Sequence, residues 1–291
     1  MKLYTPSTIM EIQRKYNLRP SKRLGQNFLA DQNIIRGMIE KSEISKTDLV
    51  IEIGPGIGTL TEALCQEAGL VIAVELDRQM IPILEETLGD YSNKVILNQD
   101  ILKTDIHSLI KDNCLPDGTA PKSIKIVANL PYYITTPILM KLLEEKIPVV
   151  SLTMMMQKEV AQRLTASPGT KEYGAITLAV NYYSEASKII QVSKDVFIPK
   201  PKVDSTVVLF KVREFPPVFV KNEALLFALI KGGFGMRRKT LLNALVGVAD
   251  MTKQEVGQAL GAADIDENRR GETLSLEEFA NLANKISEVF E

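Results

Sequence analysis

The chain has 291 residues, 45% of them hydrophobic and 24% charged, with a net charge of −1. That size and balance suit a globular protein of one large domain, or one large and one small, with enough apolar material for a core. No apolar run nears the roughly 18 residues of a membrane span, the first thirty residues lack a signal peptide's apolar stretch, and Cys65, Cys114 and the single His107 form neither a disulfide framework nor a metal cluster, so a cytoplasmic protein with no metal site is expected.

In chain order, residues 1–30 carry 6 basic and 1 acidic residue, a basic opening segment. From Asp48 to Gln157 short apolar runs alternate with helical stretches. LVIEI (49–53), LVIAVEL (70–76), KVILNQ (94–99), SIKIVANL (123–130) and VVSLTMMM (149–156) read as strands separated by helices, which predicts a parallel sheet buried on both faces. ITLAVNYY (176–183), KIIQVS (188–193) and VDSTVVLFKV (203–212) follow without intervening helices and are read as further strands ending the sheet in an antiparallel pair. The result is a doubly wound, Rossmann-like α/β domain that takes its ligand at the carboxyl ends of the strands.

After Arg213 the connector EFPPVFV leads to four amphipathic stretches, NEALLFALIKGGF, MRRKTLLNALVGV, TKQEVGQALGAA and SLEEFANLANKISEVF. They predict three parts: a basic N-terminal segment (1–30), a catalytic domain (31–213) and a small all-helical C-terminal domain (214–291). Residues 148–240 hold 14 basic and 7 acidic residues, so with the opening segment they could offer a positive face to a polyanion. Such blocks can equally scatter over a folded surface.

VIEIGPGIG sets Gly54, Gly56 and Gly58 directly after the first strand, where glycine lets the backbone turn tightly and approach a ligand. Glu75 ends the second strand, where a carboxylate can accept both hydrogen bonds of a ribose diol. Asp100 ends the third, where an acceptor can meet an adenine amino group. Either acid alone is more often a turn residue. Together with the glycines they outline a nucleoside pocket that fits NAD and S-adenosylmethionine alike.

The fourth strand end separates the two. It reads VANLPYYITTPI (127–138), an apolar run stopping at an amide, a proline and two tyrosines. An adenine amine is a poor nucleophile because its lone pair is delocalised into the ring. Acceptors set against its two N–H bonds favour the pyramidal nitrogen that can attack a methyl group. The Asn129 side chain and the Leu130 carbonyl supply two, and Pro131 holds the residue before it extended so that they converge. Tyr132 offers a π-face to a base taken out of its stack. Either tyrosine could be a core aromatic; the neighbouring Asn and Pro favour a functional Tyr132, and Tyr133 is read as packing.

Six motifs in order, KRLGQNFLAD (22–31), IEIGPGIGTLT (51–61), VELD (74–77), NQDIL (98–102), NLPYYITTPI (129–138) and VFIPKPKVDSTVV (196–208), resemble those of the ribosomal RNA adenine N6,N6-dimethyltransferases over nearly the full chain. The resemblance is strongest to the bacterial small-subunit branch. It implies a class I S-adenosylmethionine-dependent fold. It also implies dimethylation of two adjacent adenosines in the 3′-terminal helix loop of 16S rRNA, by a monomer acting late in small-subunit assembly. Carried over by position, Asn27 and Leu29 would close over the cofactor, and Gly54, Gly56, Glu75, Asp100 and Asn129 would line its pocket. Phe197 would be the second wall for the target adenine, opposite Tyr132. Lys22, Arg23, Arg163, Lys200, Lys202 and the Arg237–Arg238–Lys239 cluster, read on a helix, could meet rRNA phosphates. Two alternatives stand beside this: a large-subunit (23S) methyltransferase of the macrolide-resistance type, and a nonenzymatic RNA-binding assembly factor, which would be expected to lose Asn129 or Tyr132.

Overall fold

The computed structural model describes residues 2–18, 25–236 and 238–290, the side chains of 289 and 290 excepted. Lys22, Arg23 and Arg237 therefore lie outside the described residues. The chain forms two compact units, Met1–Ala161 with Ala186–Val212, and Gln162–Glu185 with Arg213–Glu291. This departs from the expected boundary at 213, because Gln162–Glu185 groups with the helical unit.

The first unit begins with α1 (Pro6–Lys15), β1 (Phe28–Leu29) and α2 (Gln32–Lys41). Five βα repeats follow: β2 (Asp48–Ile53), α3 (Thr59–Glu67), β3 (Leu70–Glu75), α4 (Ile81–Thr87), β4 (Lys94–Asn98), α5 (Ile106–Lys111), β5 (Ser123–Asn129), α6 (Thr135–Glu144), β6 (Ser151–Gln157) and α7 (Lys158–Leu164), whose residues from Gln162 on group with the second unit. After α8 (Ala175–Tyr183), which belongs to the second unit, come β7 (Ser184–Val192), β8 (Phe197–Ile198) and β9 (Ser205–Val212). The seven-stranded sheet has the order β4-β3-β2-β5-β6-β9-β7. Its first five strands run parallel, and β9 lies antiparallel to β6. Every residue of β2 and β3 is buried, as strands covered on both faces require.

The chain leaves β2 for β3 on one side and reaches β5 on the other. The carboxyl ends of β2 and β5 therefore flank a switch point, where open α/β sheets bind ligands. At their opposite ends Asp48 accepts hydrogen bonds from Ser123 Oγ (2.6 Å), Lys125 Nζ (2.9 Å) and the Ser45 N–H (2.8 Å). Burial opposes its charge, but these donors outweigh burial and hold the carboxyl below its ordinary range. The opening segment is anchored too: Ile9 and Ile12 of α1 pack in one apolar cluster with Met80, Ile83, Leu84 and Leu88.

The second unit holds α8, α9 (Glu223–Gly235), α10 (Leu241–Ala244), α11 (Lys253–Ala262) and α12 (Leu276–Phe290) around a core that includes Leu178, Tyr182, Leu226, Leu260 and Phe279. Asn222 caps α9, and Thr252 with Glu255 forms a capping box on α11. Residues 176–183, expected as a strand, are helical. Thr177, Leu178, Ala179, Val180 and Tyr182 are all buried, and an apolar run buried on every side has no period to distinguish helix from strand. The stretch expected as one helix from Met236 onward yields only the four-residue α10, so Arg238 and Lys239 lie in the turn before it.

Candidate functional site

A cavity of about 1090 Å³, counting its open mouth, lies at the carboxyl ends of β2, β3 and β5 in the first unit. Its floor is the glycine turn after β2. Gly56 has φ +60°, and a Cβ there would come within 3.3 Å of the Phe28 ring. Its N–H donates to Glu75 Oε2 at 3.2 Å, while the Asp77 N–H donates to Oε1 at 2.7 Å. The backbone thus presents the buried Glu75 carboxylate to the cavity. Burial pushes this carboxyl above its usual range, and the two N–H donors pull the other way. Asp100 also lines the cavity, oriented by the Leu102 N–H to its Oδ1 at 3.0 Å.

Three lining residues escape a reading of strand ends. Glu52, inside β2, is 1% exposed, and its Oε2 has no hydrogen-bond partner among the described residues. Burial, reinforced by the nearby Glu75 charge, pushes its carboxyl up to about 8. Leu76 and Ile101 each follow a strand-end acid and line the same cavity, offering aliphatic surfaces that suit a planar base. The signals were present: an acid within a continuous apolar strand, and an acid–aliphatic pair ending two successive strands.

At the fourth strand end, β5 places Asn129 opposite Met155 of β6 and then releases the chain at Leu130. Neither the Asn129 side chain nor the Leu130 carbonyl accepts a hydrogen bond from another described residue. By contrast, the Pro131 carbonyl accepts from the Ile134 N–H (3.2 Å) and Thr135 Oγ1 (3.1 Å), closing a turn that leads into α6. The Tyr132 hydroxyl lies 2.9 Å from Ser205 Oγ at the start of β9, which fixes the half-buried ring at the cavity wall.

The opening segment reaches this cavity through β1, whose Leu29 pairs with Phe197 and whose Phe28 pairs with Ile198. Gln26 Nε2 donates to Asp77 Oδ2 at 2.8 Å, and Asn27 Nδ2 to the Gly25 carbonyl at 2.9 Å. Asn27, Leu29 and Phe197 all line the cavity beside Gly54 and Asn129. A nucleoside-sized cavity with two strand-end carboxylates and an amide that no other described residue engages, beside an anchored aromatic, points to group transfer onto a base. A family model described as ribosomal RNA adenine dimethylase matches residues 17–288.

The chain belongs to the ribosomal RNA adenine dimethylase family. It is 52% identical over 287 residues to the ribosomal RNA small subunit methyltransferase A of Alkaliphilus metalliredigens, with 98% of each chain covered. A dimethyladenosine transferase from Plasmodium falciparum shares its fold with a TM-score of 0.76 at 25% identity, over 90% of this chain and 98% of that one. The 23S rRNA methyltransferase ErmE gives 0.66 at 24% identity, over 90% and 100%, a likeness of fold. The methyl donor of the family is S-adenosylmethionine. The cavity's lining suits such a donor in chemical character: a buried carboxylate at Glu75, aliphatic surfaces at Leu76 and Ile101, and a Glu52 Oε2 with no partner among the described residues.

One aromatic assignment changes. Tyr133, expected in the core, is 59% exposed, because the turn at Pro131 sends consecutive side chains in different directions. Phe197 lines the cavity but is only 4% exposed, seated among Leu29, Met155 and Val207. Of the basic residues, Arg163, Arg238 and Lys239 are exposed in the second unit, and Lys200 and Lys202 are exposed in the first. Lys200 forms an ion pair with Asp195.

Proposed function

We propose that this chain transfers methyl groups from S-adenosylmethionine to the N6 amines of two adjacent adenosines in the 3′-terminal helix loop of small-subunit (16S) rRNA, late in subunit assembly in the cytoplasm. The observation that carries the reading is a pair of acceptors that no other described residue engages, Asn129 Oδ1 and the Leu130 carbonyl, in one cavity with Glu75, Asp100 and the anchored Tyr132. The relative at 52% identity is named for the small subunit, whereas the 23S enzyme matches at 24%, which favours the small-subunit substrate.

When bound, the donor supplies an electrophilic methyl on a sulfonium. Glu75 would hold its ribose, Asp100 its adenine amino group, and Glu52 its ammonium, while Asn27 and Leu29 close over it. Asn129 and Leu130 accept the two N–H bonds of the target amine and favour the pyramidal nitrogen. Tyr132 stacks on the target base, with Phe197 as the far wall. No strong base is required, since the proton leaves after the methyl arrives. Positioning and fixed dipoles therefore carry the rate. A monomethylated amine keeps one N–H, so one acceptor still holds it for the second transfer.

The test is tritiated methyl transfer to undermethylated small subunits and, in parallel, to unmethylated large-subunit rRNA, then digestion to nucleosides. Labelled N6,N6-dimethyladenosine from small-subunit rRNA is expected. Label confined to large-subunit rRNA would transfer the reading to the macrolide-resistance type, and no label in either would leave a binding factor.

A further inference from the structure

Of the eight tyrosines in the chain, Tyr133 alone is mostly exposed, the others being buried or half-buried. Its neighbour Tyr132 is tied inward to Ser205, yet both line the same cavity. The Tyr133 hydroxyl makes no hydrogen bond to another described residue, and the ring belongs to none of the buried clusters. Its backing is specific nonetheless. Gly25 has φ +60°, and a Cβ there would lie 3.0 Å from Pro131 Cβ and 3.7 Å from Tyr133 Cε1. A glycine at this position lets the backbone of residue 25 lie this close to Pro131 and the Tyr133 ring. The turn beneath is closed twice at the Pro131 carbonyl, so the ring sits on a fixed base.

A lone exposed aromatic usually needs no explanation. This one differs in adjoining the base-holding ring at the edge of the cavity, on a rigid turn backed by glycine. We infer that Tyr133 is a stacking platform for the nucleotide next to the target adenosine, a positioning site at the edge of the cavity that holds the strand while the target base sits within. The inference rests on the RNA substrate proposed above. The chemistry demands such a site: two adjacent adenosines must be presented in turn, and each leaves the other just outside. An aromatic face accepts any base, since stacking reads a π-surface rather than an edge pattern, so the same ring serves whichever neighbour is outside.

The experiment compares Tyr133→Phe, Tyr133→Leu and Tyr133→Ala with the wild type on undermethylated small subunits. A companion assay uses short single strands carrying the target adenosine with 2-aminopurine on either side. Tyr133→Phe should stay close to wild type. Tyr133→Leu and Tyr133→Ala should lose kcat/KM by about 5- to 100-fold, the range that stacking on one ring supplies. They should also lose the 2-aminopurine quenching seen with the wild type, with unchanged S-adenosylmethionine affinity by calorimetry. Full activity and quenching in Tyr133→Leu, or a fall in cofactor affinity matching the fall in rate, would overturn the inference. If the wild type itself methylates no small-subunit RNA, the functional reading fails. If it does and every variant equals it, only the platform fails.

Discussion

The Tyr132 hydroxyl lies 2.9 Å from Ser205 Oγ, a contact between residues 73 apart in the chain that ties the turn after β5 to the start of β9. It turns a flexible aromatic into a fixed wall. Ser205→Ala should therefore cost about 1 kcal/mol of stability, the usual net worth of one hydrogen bond, and lower kcat while leaving cofactor affinity unchanged. Tyr132→Phe should reproduce both effects, and the double variant should add little to either, as expected for partners in one hydrogen bond. Additive losses in kcat would mean that the two hydroxyls act separately.

Asn129→Ala removes an acceptor that serves no other described residue. Turnover should fall by about 100-fold or more, the usual cost of deleting one preorganised catalytic dipole. Calorimetric affinity for S-adenosylmethionine and binding to small subunits should persist. A binding loss equal to the activity loss would make Asn129 a binding residue only.

Glu52 and Glu75 predict a pH dependence. Glu52 is raised from 4.5 to about 8, mainly by burial. A carboxyl raised in the fold keeps its proton when folded and releases it on unfolding. Between about pH 4.5 and 8, stability therefore falls as pH rises, and it levels off above that window. Glu75 is shifted in the same direction, again by burial. The melting temperature of the donor-free protein should drop across this window, and Glu52→Gln should flatten the slope. Donor affinity should rise toward pH 8 as Glu52 ionises to meet an ammonium, a rise that Glu52→Gln abolishes. Glu75→Ala should weaken donor affinity at every pH; calorimetry that finds it unchanged removes the ribose assignment.

Arg238 and Lys239 are exposed in the turn after α9. Reversing both charges should weaken rRNA binding and reduce the slope of log affinity against log salt by roughly 0.7–0.9 for each phosphate no longer neutralised. An unchanged slope would mean an ordinary solvated turn.

The parallel strands were legible because each is a continuous apolar run between turns, and 49–53, 70–76, 94–99, 123–130 and 149–156 correspond to β2–β6 within two residues at either end. The same rule misread 176–183, where burial on all sides erased the period. Glu75, Asp100 and Asn129 were legible because a parallel sheet collects its strand ends, so polar residues there converge on one cavity. Glu52 was hidden inside a strand whose other residues are apolar or, like Asp48, buried and paired.

What the sequence determined alone was the chemistry: six ordered motifs specify the family, and NLPY specifies an amide, a fixed turn and a ring beside a nucleoside pocket. Those are properties of neighbouring residues, set by backbone geometry over a few bonds. What only the tertiary structure decided was the fate of each ring and charge. Tyr132 is anchored by a serine on a distant strand, and Tyr133 is left exposed over Gly25. Phe197 is drawn in by Leu29, and Glu52 Oε2 is left without a partner among the described residues. Burial and long-range hydrogen bonds depend on what packs from elsewhere in the chain, and no local pattern encodes that.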